Sequence, residues 1–304
     1  MRQEKSLALK NLLLALLVMA LWGSLFPMIK IGYRAFDIDT SAIPDIIVFA
    51  SMRFIVSGAV VSLIAWLKKA PIARPLRKSL LPIFLAALFT VFLHYICTYV
   101  GLSVADSSKT ALLKQTGPLL YVCFAFLFLR DEKFSLAKLV GALVGFLGIV
   151  AINFGTAGIS FAFGDLIVLA ASVFSVAGTV CSKKGVSFAS PFWVTGISQL
   201  VGGVALLAVG VVLGGKFPAF SLSAALVFLY ICTASVCAYL LHACVQKTES
   251  NSRLLIIKFA EPLFACVFGW MLLGEDIWRW QYLVAFLLVS CGILLGSYRK
   301  EGKE

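Results

Sequence analysis

Long apolar stretches separated by short polar breaks run along the chain from one end to the other. A helix needs about 20 apolar residues to cross a hydrocarbon core about 30 Å thick. Ten stretches qualify: 11–33, 46–67, 79–101, 108–129, 137–153, 163–182, 192–213, 223–245, 253–273 and 280–297, the fifth of them short. The longest water-loving break is the eleven residues 68–78. The pattern predicts an all-α integral membrane protein with ten transmembrane helices in a single domain over 1–304.

One stretch is written twice. The text from Lys109 to Asn153 returns from Arg253 to Ser297. An offset of 144 residues takes Lys114 to Lys258, Pro118 to Pro262, Phe124 to Phe268, the acidic pair Asp131 and Glu132 to Glu275 and Asp276, and Gly148 to Gly292. A constant offset marks a duplicated unit, here repeat one over about 11–153 and repeat two over about 163–297. Each repeat holds five spans, so the second must enter the membrane the opposite way round. Inverted repeats exchange conformations between halves to give alternating access around a site near the midplane. The duplication therefore points to transport.

Composition agrees with the pattern. At 61% hydrophobic and 13% charged, with a mean hydropathy of +1.01, the chain is far from a soluble globule. Such globules are roughly 45–50% apolar and about 25% charged. Lys and Arg number 26 against 14 Asp and Glu, with pI 9.4. A nucleic-acid partner would need a solvated basic face, and the short breaks leave no room for one. The positive charge instead sets orientation. Eighteen basic residues fall on one side: three at the N-terminus, five in 68–78, three in 130–138, Lys183, Lys184, Lys247, Arg253 and three at the C-terminus. Four fall on the other: Arg34, Lys109, Lys216 and Arg279. The expectation is a multi-pass protein of a bacterial-type inner or plasma membrane with both termini cytoplasmic. The basic, apolar start resembles a signal peptide but lacks a small-x-small cleavage site and is read as an uncleaved first helix. The eight cysteines lie in or at the ends of apolar spans with no C-x-x-C pair. They are read as packing residues, not as a metal site or disulfide framework. No cofactor and no metal is expected.

Ten spans in two five-helix halves, the text Trp22-Gly23-Ser24-Leu25-Phe26, the Arg53-Phe54 pair and both proline-to-acidic-turn blocks resemble the drug/metabolite transporter superfamily, in its EamA-type branch. The resemblance covers essentially the whole chain. It implies the fold and a transport activity, with substrates among amino acids, nucleotide-sugars, sugar phosphates, other metabolites and drugs. Amino acids lead, because that branch is rich in their exporters.

Site candidates come from the residues themselves. Four basic residues lie at membrane depth, Lys30, Arg53, Lys114 and Lys258, joined by one acid, Glu261. Charge inside a span is costly and marks function by default. Counting rise per residue puts Lys114 roughly 9 Å below the outer surface of the core, and Arg53, His94 and Tyr95 at about 9–11 Å. Lys258 and Tyr239 lie about 8–10 Å from the inner surface, with His242 nearer the rim. Tyr95 and Tyr239 again share the offset. Two pseudo-symmetric sets follow, one on each side of the midplane. The faces Lys114, Gly117, Pro118, Tyr121 and Lys258, Glu261, Pro262, Ala265 combine small residues and prolines, as bundle interiors and transport pathways require.

Plainer readings stand beside these. Either lysine could snorkel to the headgroups, and Lys30, near its span end, is read that way. Glu261 either neutralises Lys258 as an i,i+3 pair or couples protons with His242. Arg53 either ties helices together or touches substrate. His94, His242 and Trp22 could be ordinary packing residues. Omitting Lys30, Arg53, Lys114 and Lys258 outweigh Glu261, and an anionic solute would supply the missing partner. The function expected is secondary active transport of a small polar organic metabolite with an anionic group. Lys114, Lys258, Arg53, His94, Tyr95, Trp22, Tyr121 and Tyr239 would bind it, each lysine in turn, with Glu261 and His242 coupling protons or charge. The alternative is a proton-coupled exporter of drugs or lipophilic cations anchored on Glu261. An enzyme is not expected, since no nucleophile–base pair, H-E-x-x-H or phosphate loop is present. A receptor would need larger loops. The expected partners are the metabolite and the lipid bilayer, with a homodimer possible through the glycine-rich spans.

Overall fold

The computed structural model describes residues 2–72, 77–104, 110–111, 113–114, 116–129, 135–153, 163–245, 254, 256–278 and 280–297. Lys109, the Asp131–Glu132 turn, Lys247, Arg253 and Arg279, used above for orientation and repeat, lie outside them.

Among the described residues the chain folds as helices α1 (Arg2–Ala35), α2 (Ile43–Leu67), α3, α4 (Thr116–Phe128), α5 (Leu136–Asn153), α6 (Phe163–Val186), α7 (Pro191–Val212), α8 (Leu222–Val245), α9 (Ala260–Leu273) and α10 (Trp280–Ser297). Helix α3 runs as Arg77–Ala86, a π-helical segment Ala87–Leu93, and His94–Val104. Six of these helices are long and apolar enough to cross a membrane, and Leu136–Gly148, Ala260–Leu273 and Trp280–Gly292 are shorter apolar helices. Local chemistry explains several boundaries. Pro44 and Pro191 sit in the first turns of α2 and α7, where a missing N–H costs nothing. Gly274 ends α9 with φ 70°, the left-handed cap that glycine adopts freely. Outward-pointing Leu81, Phe84, Leu127 and Leu226 are exposed, as lipid-facing side chains are.

Helix pairing is regular. Helix α2 packs along α7 and α5 along α10, while α1 packs on α8 and α9, and α6 packs on α3 and α4. Exchanging every helix for the one five places away leaves this pairing unchanged. Close contacts give the directions. A Cβ on Gly58 would stand 2.4 Å from the nitrogen of Leu200, and one on Gly203 would stand 2.8 Å from that of Ile55. Advancing along α2 thus means retreating along α7, so the two are antiparallel. On α5 and α10, a Cβ on Gly148 would meet the Ala285 carbonyl at 2.9 Å, and one on Gly292 the Gly141 carbonyl at 2.5 Å. Gly148 and Gly292 are repeat mates, and so are Gly141 and Ala285. These glycines are spent on packing within the chain.

The two ends of the bundle differ. At one, the turns after α2 and α6 meet: the Ser190 N–H donates to the Pro71 carbonyl at 2.8 Å, and Trp193 Nε1 to the Ala70 carbonyl at 2.9 Å. That end gathers Lys68, Lys69, Lys183 and Lys184. At the other, the Lys216 N–H donates to Asp45 at 2.8 Å, and Phe36 packs edge-on against Phe220, ring centroids 5.0 Å apart. Tyr33, Phe49, Tyr99 and Phe228 continue that aromatic cluster inward.

Candidate functional site

Proline has no N–H, and its ring collides with the carbonyl four residues earlier. Pro118 and Pro262 follow Lys114 and Lys258 by four, so both spans break at the lysine. Residues 110, 111 and 113, and 254, 256 and 257, are helical; the chain turns at Lys114 and at Lys258–Phe259; α4 and α9 then begin. The released carbonyls are taken by tighter bonds, from the Gly117 N–H to Lys114 at 3.1 Å and from the Glu261 N–H to Lys258 at 3.0 Å. Ser172 Oγ also donates to the Lys114 carbonyl at 3.3 Å. The expectation of continuous helices over 108–129 and 253–273 is corrected accordingly. Each lysine stands just before a half-helix N-terminus, where the dipole favours negative charge.

Both breaks face one cavity of about 330 Å³, within the range of small-molecule sites, about 300–1,000 Å³. Arg53, His94, Lys114, His242, Lys258 and Glu261 supply its titratable lining near the centre, with Trp22, Phe26, Tyr95 and Tyr239 as aromatic wall. The two sets expected on opposite sides of the midplane therefore share a single space. Tyr95 and Tyr239, repeat mates 144 residues apart, meet hydroxyl to hydroxyl at 3.1 Å. Lys114 Nζ lies 5.1 Å from the Phe26 ring centroid and 5.4 Å from that of Tyr95. Lys258 Nζ lies 5.5 Å from the Trp22 ring, and Trp22 in turn packs on Tyr239 and His242 at 5.7 and 5.1 Å. Gly23 makes that placement possible, since a Cβ there would stand 2.8 Å from the Glu261 carbonyl.

The charges are unequally matched. Glu261, 3% exposed, reaches Lys258 at 4.0 Å, an ion pair too long for a hydrogen bond. Among the described residues, neither Lys114 nor Arg53 forms an ion pair. Arg53, 2% exposed, donates from Nε to Ser235 Oγ at 2.9 Å and from an Nη to the Tyr99 hydroxyl at 3.0 Å. It thereby ties α2 to α8 and α3 beneath the aromatic cluster. His94 donates from Nδ1 to the Ala171 carbonyl at 2.8 Å, which leaves Nε2 as the acceptor of the neutral ring.

Tyr121 is placed elsewhere. It is 1% exposed, packs with Ala125, Leu129 and Val180 between α4 and α6, and does not line the cavity. The break at Lys114 explains this, because α4 no longer continues the helical face on which Lys114 and Tyr121 were aligned. Lys30 lies away from the cavity, in a recess with Arg34 and Asp37. Phe26, whose ring lies under Lys114, and the uncharged Thr90 and Gln199 join the lining without having been expected from the sequence. A polar amide in mid-span was the signal for Gln199.

The cavity is one-sided. It extends past Lys183 and Val194 to Val186, itself 38% exposed, and stops at the Arg53 network, beyond which lie buried Tyr33, Phe36 and Phe49.

Comparison with known proteins completes the picture. The EamA-like transporter family model matches residues 9–154 and again 162–298. The uncharacterized inner membrane transporter YedA of Escherichia coli (strain K12) is 25% identical over 305 residues, covering 98% of this chain and 94% of that protein. The uncharacterized transporter YdfC of Bacillus subtilis (strain 168) is 23% identical over 266 residues, covering 85% and 82%. A crystal structure aligns with a TM-score of 0.72 at 19% identity over 95% of this chain and 96% of that one, a likeness of fold alone. Apolar helices, a polar cavity among them and a family match over both halves agree: the chain is a multi-pass membrane transporter and belongs to the EamA-like transporter family.

Proposed function

We propose that the chain is a secondary transporter that moves a small polar organic solute with an anionic group by alternating access between two inverted five-helix halves. The observation that carries the reading is the charge imbalance of one cavity: Lys114, Lys258 and Arg53 face it, and Glu261 is the carboxylate among its described lining residues. Uncompensated cations in a low-dielectric space call for an anionic partner. The two half-helix N-termini beside the lysines add donors for the same charge. Both lysines then act on one bound solute, in place of the in-turn use expected from the sequence. An amino acid fits, its carboxylate at Lys114, its ammonium at Glu261, its side chain against Trp22, Phe26 and Tyr95. A lipophilic cation would meet three like charges.

The inversion is supported by the antiparallel α2–α7 pair, the exchange-invariant helix pairing and the two copies of the family match. The basic-residue count supports a cytoplasmic Lys183 end, and on that reading the state described here is open inward, with the aromatic cluster closing the outside.

Proteoliposome counterflow with labelled amino acids and carboxylates tests the reading. Lys114→Gln and Lys258→Gln each remove a charge-assisted bond of about 1.5–3 kcal/mol, lowering anion flux about 10- to 150-fold with little change in thermal stability. Wild-type flux from the double variant would remove the anion site. Flux of tetraphenylphosphonium that is lost in Glu261→Gln would install the cation exporter in its place.

A further inference from the structure

Away from the charged centre, the cavity has a second wall formed where the π-helical segment of α3 faces α7 and α6. Two side chains there carry buried polar atoms that are unpartnered among the described residues, Gln199 buried as a whole and Thr90 half-buried. Gln199 on α7 is 2% exposed and has no hydrogen-bond partner at either Oε1 or Nε2, and Thr90 Oγ1, in the middle of the π segment, has none either. Both line the cavity.

Unpartnered hydroxyls occur elsewhere among the described residues, on Ser57, Ser62 and Thr110, but those three do not line the cavity. Thr98, Thr179 and Ser235 each donate back to the carbonyl four residues earlier, at 2.8, 2.8 and 2.6 Å. Ser198, next to Gln199, donates to the Ile83 carbonyl at 3.2 Å. Thr90 makes no such bond. A π segment widens the helix by one residue and re-aims its side chains, a distortion frequent at functional sites. Close packing holds it in place: a Cβ on Gly178 would stand 2.6 Å from the Thr90 nitrogen, and one on Gly202 would stand 3.0 Å from the Ala87 carbonyl. Gly202 is three residues after Gln199 and so shares its face of α7. Gln199 and Thr90 thus line the cavity from adjoining helices, with polar atoms that are unpartnered and shielded in the state described, Thr90 Oγ1 lying toward Gly178 on α6. Leaving a buried amide or hydroxyl unmatched costs about 1–3 kcal/mol per group, so a fold that keeps two of them at a cavity has a use for them.

We infer that Gln199 and Thr90 form a neutral hydrogen-bonding subsite that receives a hydroxyl or carboxamide at the far end of the transported solute. The inference rests on the anion reading of Lys114 and Lys258 and extends it. The solute carries an anionic head and, separated from it by a short apolar stem, a neutral group that both donates and accepts. A glutamine amide supplies one donor group and one acceptor, and a threonine hydroxyl serves as either, so the pair accepts either type of tail and rejects a methyl. A site of this kind excludes the analogue that lacks the polar group because its own groups would stay unpaired.

Labelled 4-hydroxybutyrate and labelled succinamate bound to the purified full chain are the probes, each competed by the unlabelled polar-tailed acids and by unlabelled butyrate. In the wild type, one or both polar-tailed acids should compete about tenfold or more better than unlabelled butyrate. Gln199→Leu and Thr90→Val should bring that ratio toward one, while Thr90→Ser, which keeps the hydroxyl, should retain it. A purely structural role would move thermal stability and leave the ratio alone. Equal displacement by all three acids in the wild type, with binding of the labelled acids still lost in Lys114→Gln, overturns the subsite and leaves the anion site standing. Failure of both labelled acids to bind, or their undiminished binding in Lys114→Gln, removes the anion site and this subsite together.

Discussion

Arg53 lines the cavity, yet both of its hydrogen bonds go to protein. Its role can be separated from solute binding by Arg53→Lys. A guanidinium fork satisfies Ser235 and Tyr99 together at 2.9 and 3.0 Å; an ammonium on a shorter stem cannot hold both in that geometry. The substitution keeps a charge that must still be dehydrated when the outer end is closed. It forfeits at least one charge-assisted bond, worth about 1.5–3 kcal/mol. At 1.36 kcal/mol per factor of ten, the balance shifts about 10- to 150-fold toward states in which position 53 is hydrated. Arg53→Met loses the bonds and the dehydration penalty together and should shift the balance less. Cys232 is a built-in reporter, since it is 6% exposed and stands one turn before Ser235 on α8. A membrane-impermeant thiol reagent added from outside should label it faster in Arg53→Lys than in the wild type, with Cys232→Ala as the blank. Wild-type labelling in a lysine variant that still folds and binds solute would refute Arg53 as the tie that keeps this end closed.

Two further outcomes follow from the same geometry. Pro118→Ala and Pro262→Ala return an N–H to the Lys114 and Lys258 carbonyls, so each span can run through its lysine as one helix. Thermal stability should hold or rise while flux in proteoliposomes falls about tenfold or more. The hydroxyls of Tyr95 and Tyr239 bond each other, so Tyr95→Phe and Tyr239→Phe should each cost about 0.5–1.5 kcal/mol. The double variant should cost little more than either single one in a denaturant double-mutant cycle; full additivity would show that the hydroxyls act independently.

Hydropathy made the helices legible because the solvent of this fold is lipid, and 20-residue apolar runs have one use there. The duplication made Tyr95 and Tyr239 repeat mates, but the depth count set them on opposite sides of the midplane, whereas their hydroxyls meet. What failed was helix continuity. Depths and faces counted along 108–129 assumed an unbroken 3.6-residue period, and Pro118 interrupts it between Lys114 and Tyr121, sending Tyr121 into the α4–α6 core. The lysines, placed on opposite sides of the midplane by the same counting, turned out to line one space for a related reason. Thr90 and Gln199 escaped because neither is charged, and a π segment leaves no mark in apolar sequence.

The halves match in backbone more closely than in charge. Three residues after Lys258 stands Glu261, while three after Lys114 stands Gly117, so the duplicated frame holds one lysine with a carboxylate at 4.0 Å and one that rests on aromatic faces without an ion pair among the described residues. On the proposed anion reading, an anion entering the cavity competes with Glu261 at Lys258 and finds Lys114 the less contested first contact. A solute that also brings a cation can draw Glu261 away from Lys258 and free the second lysine for itself. If the halves exchange conformations as proposed, asymmetry laid on a symmetric frame in this way makes the two faces of the cycle energetically distinct, which identical halves would not achieve.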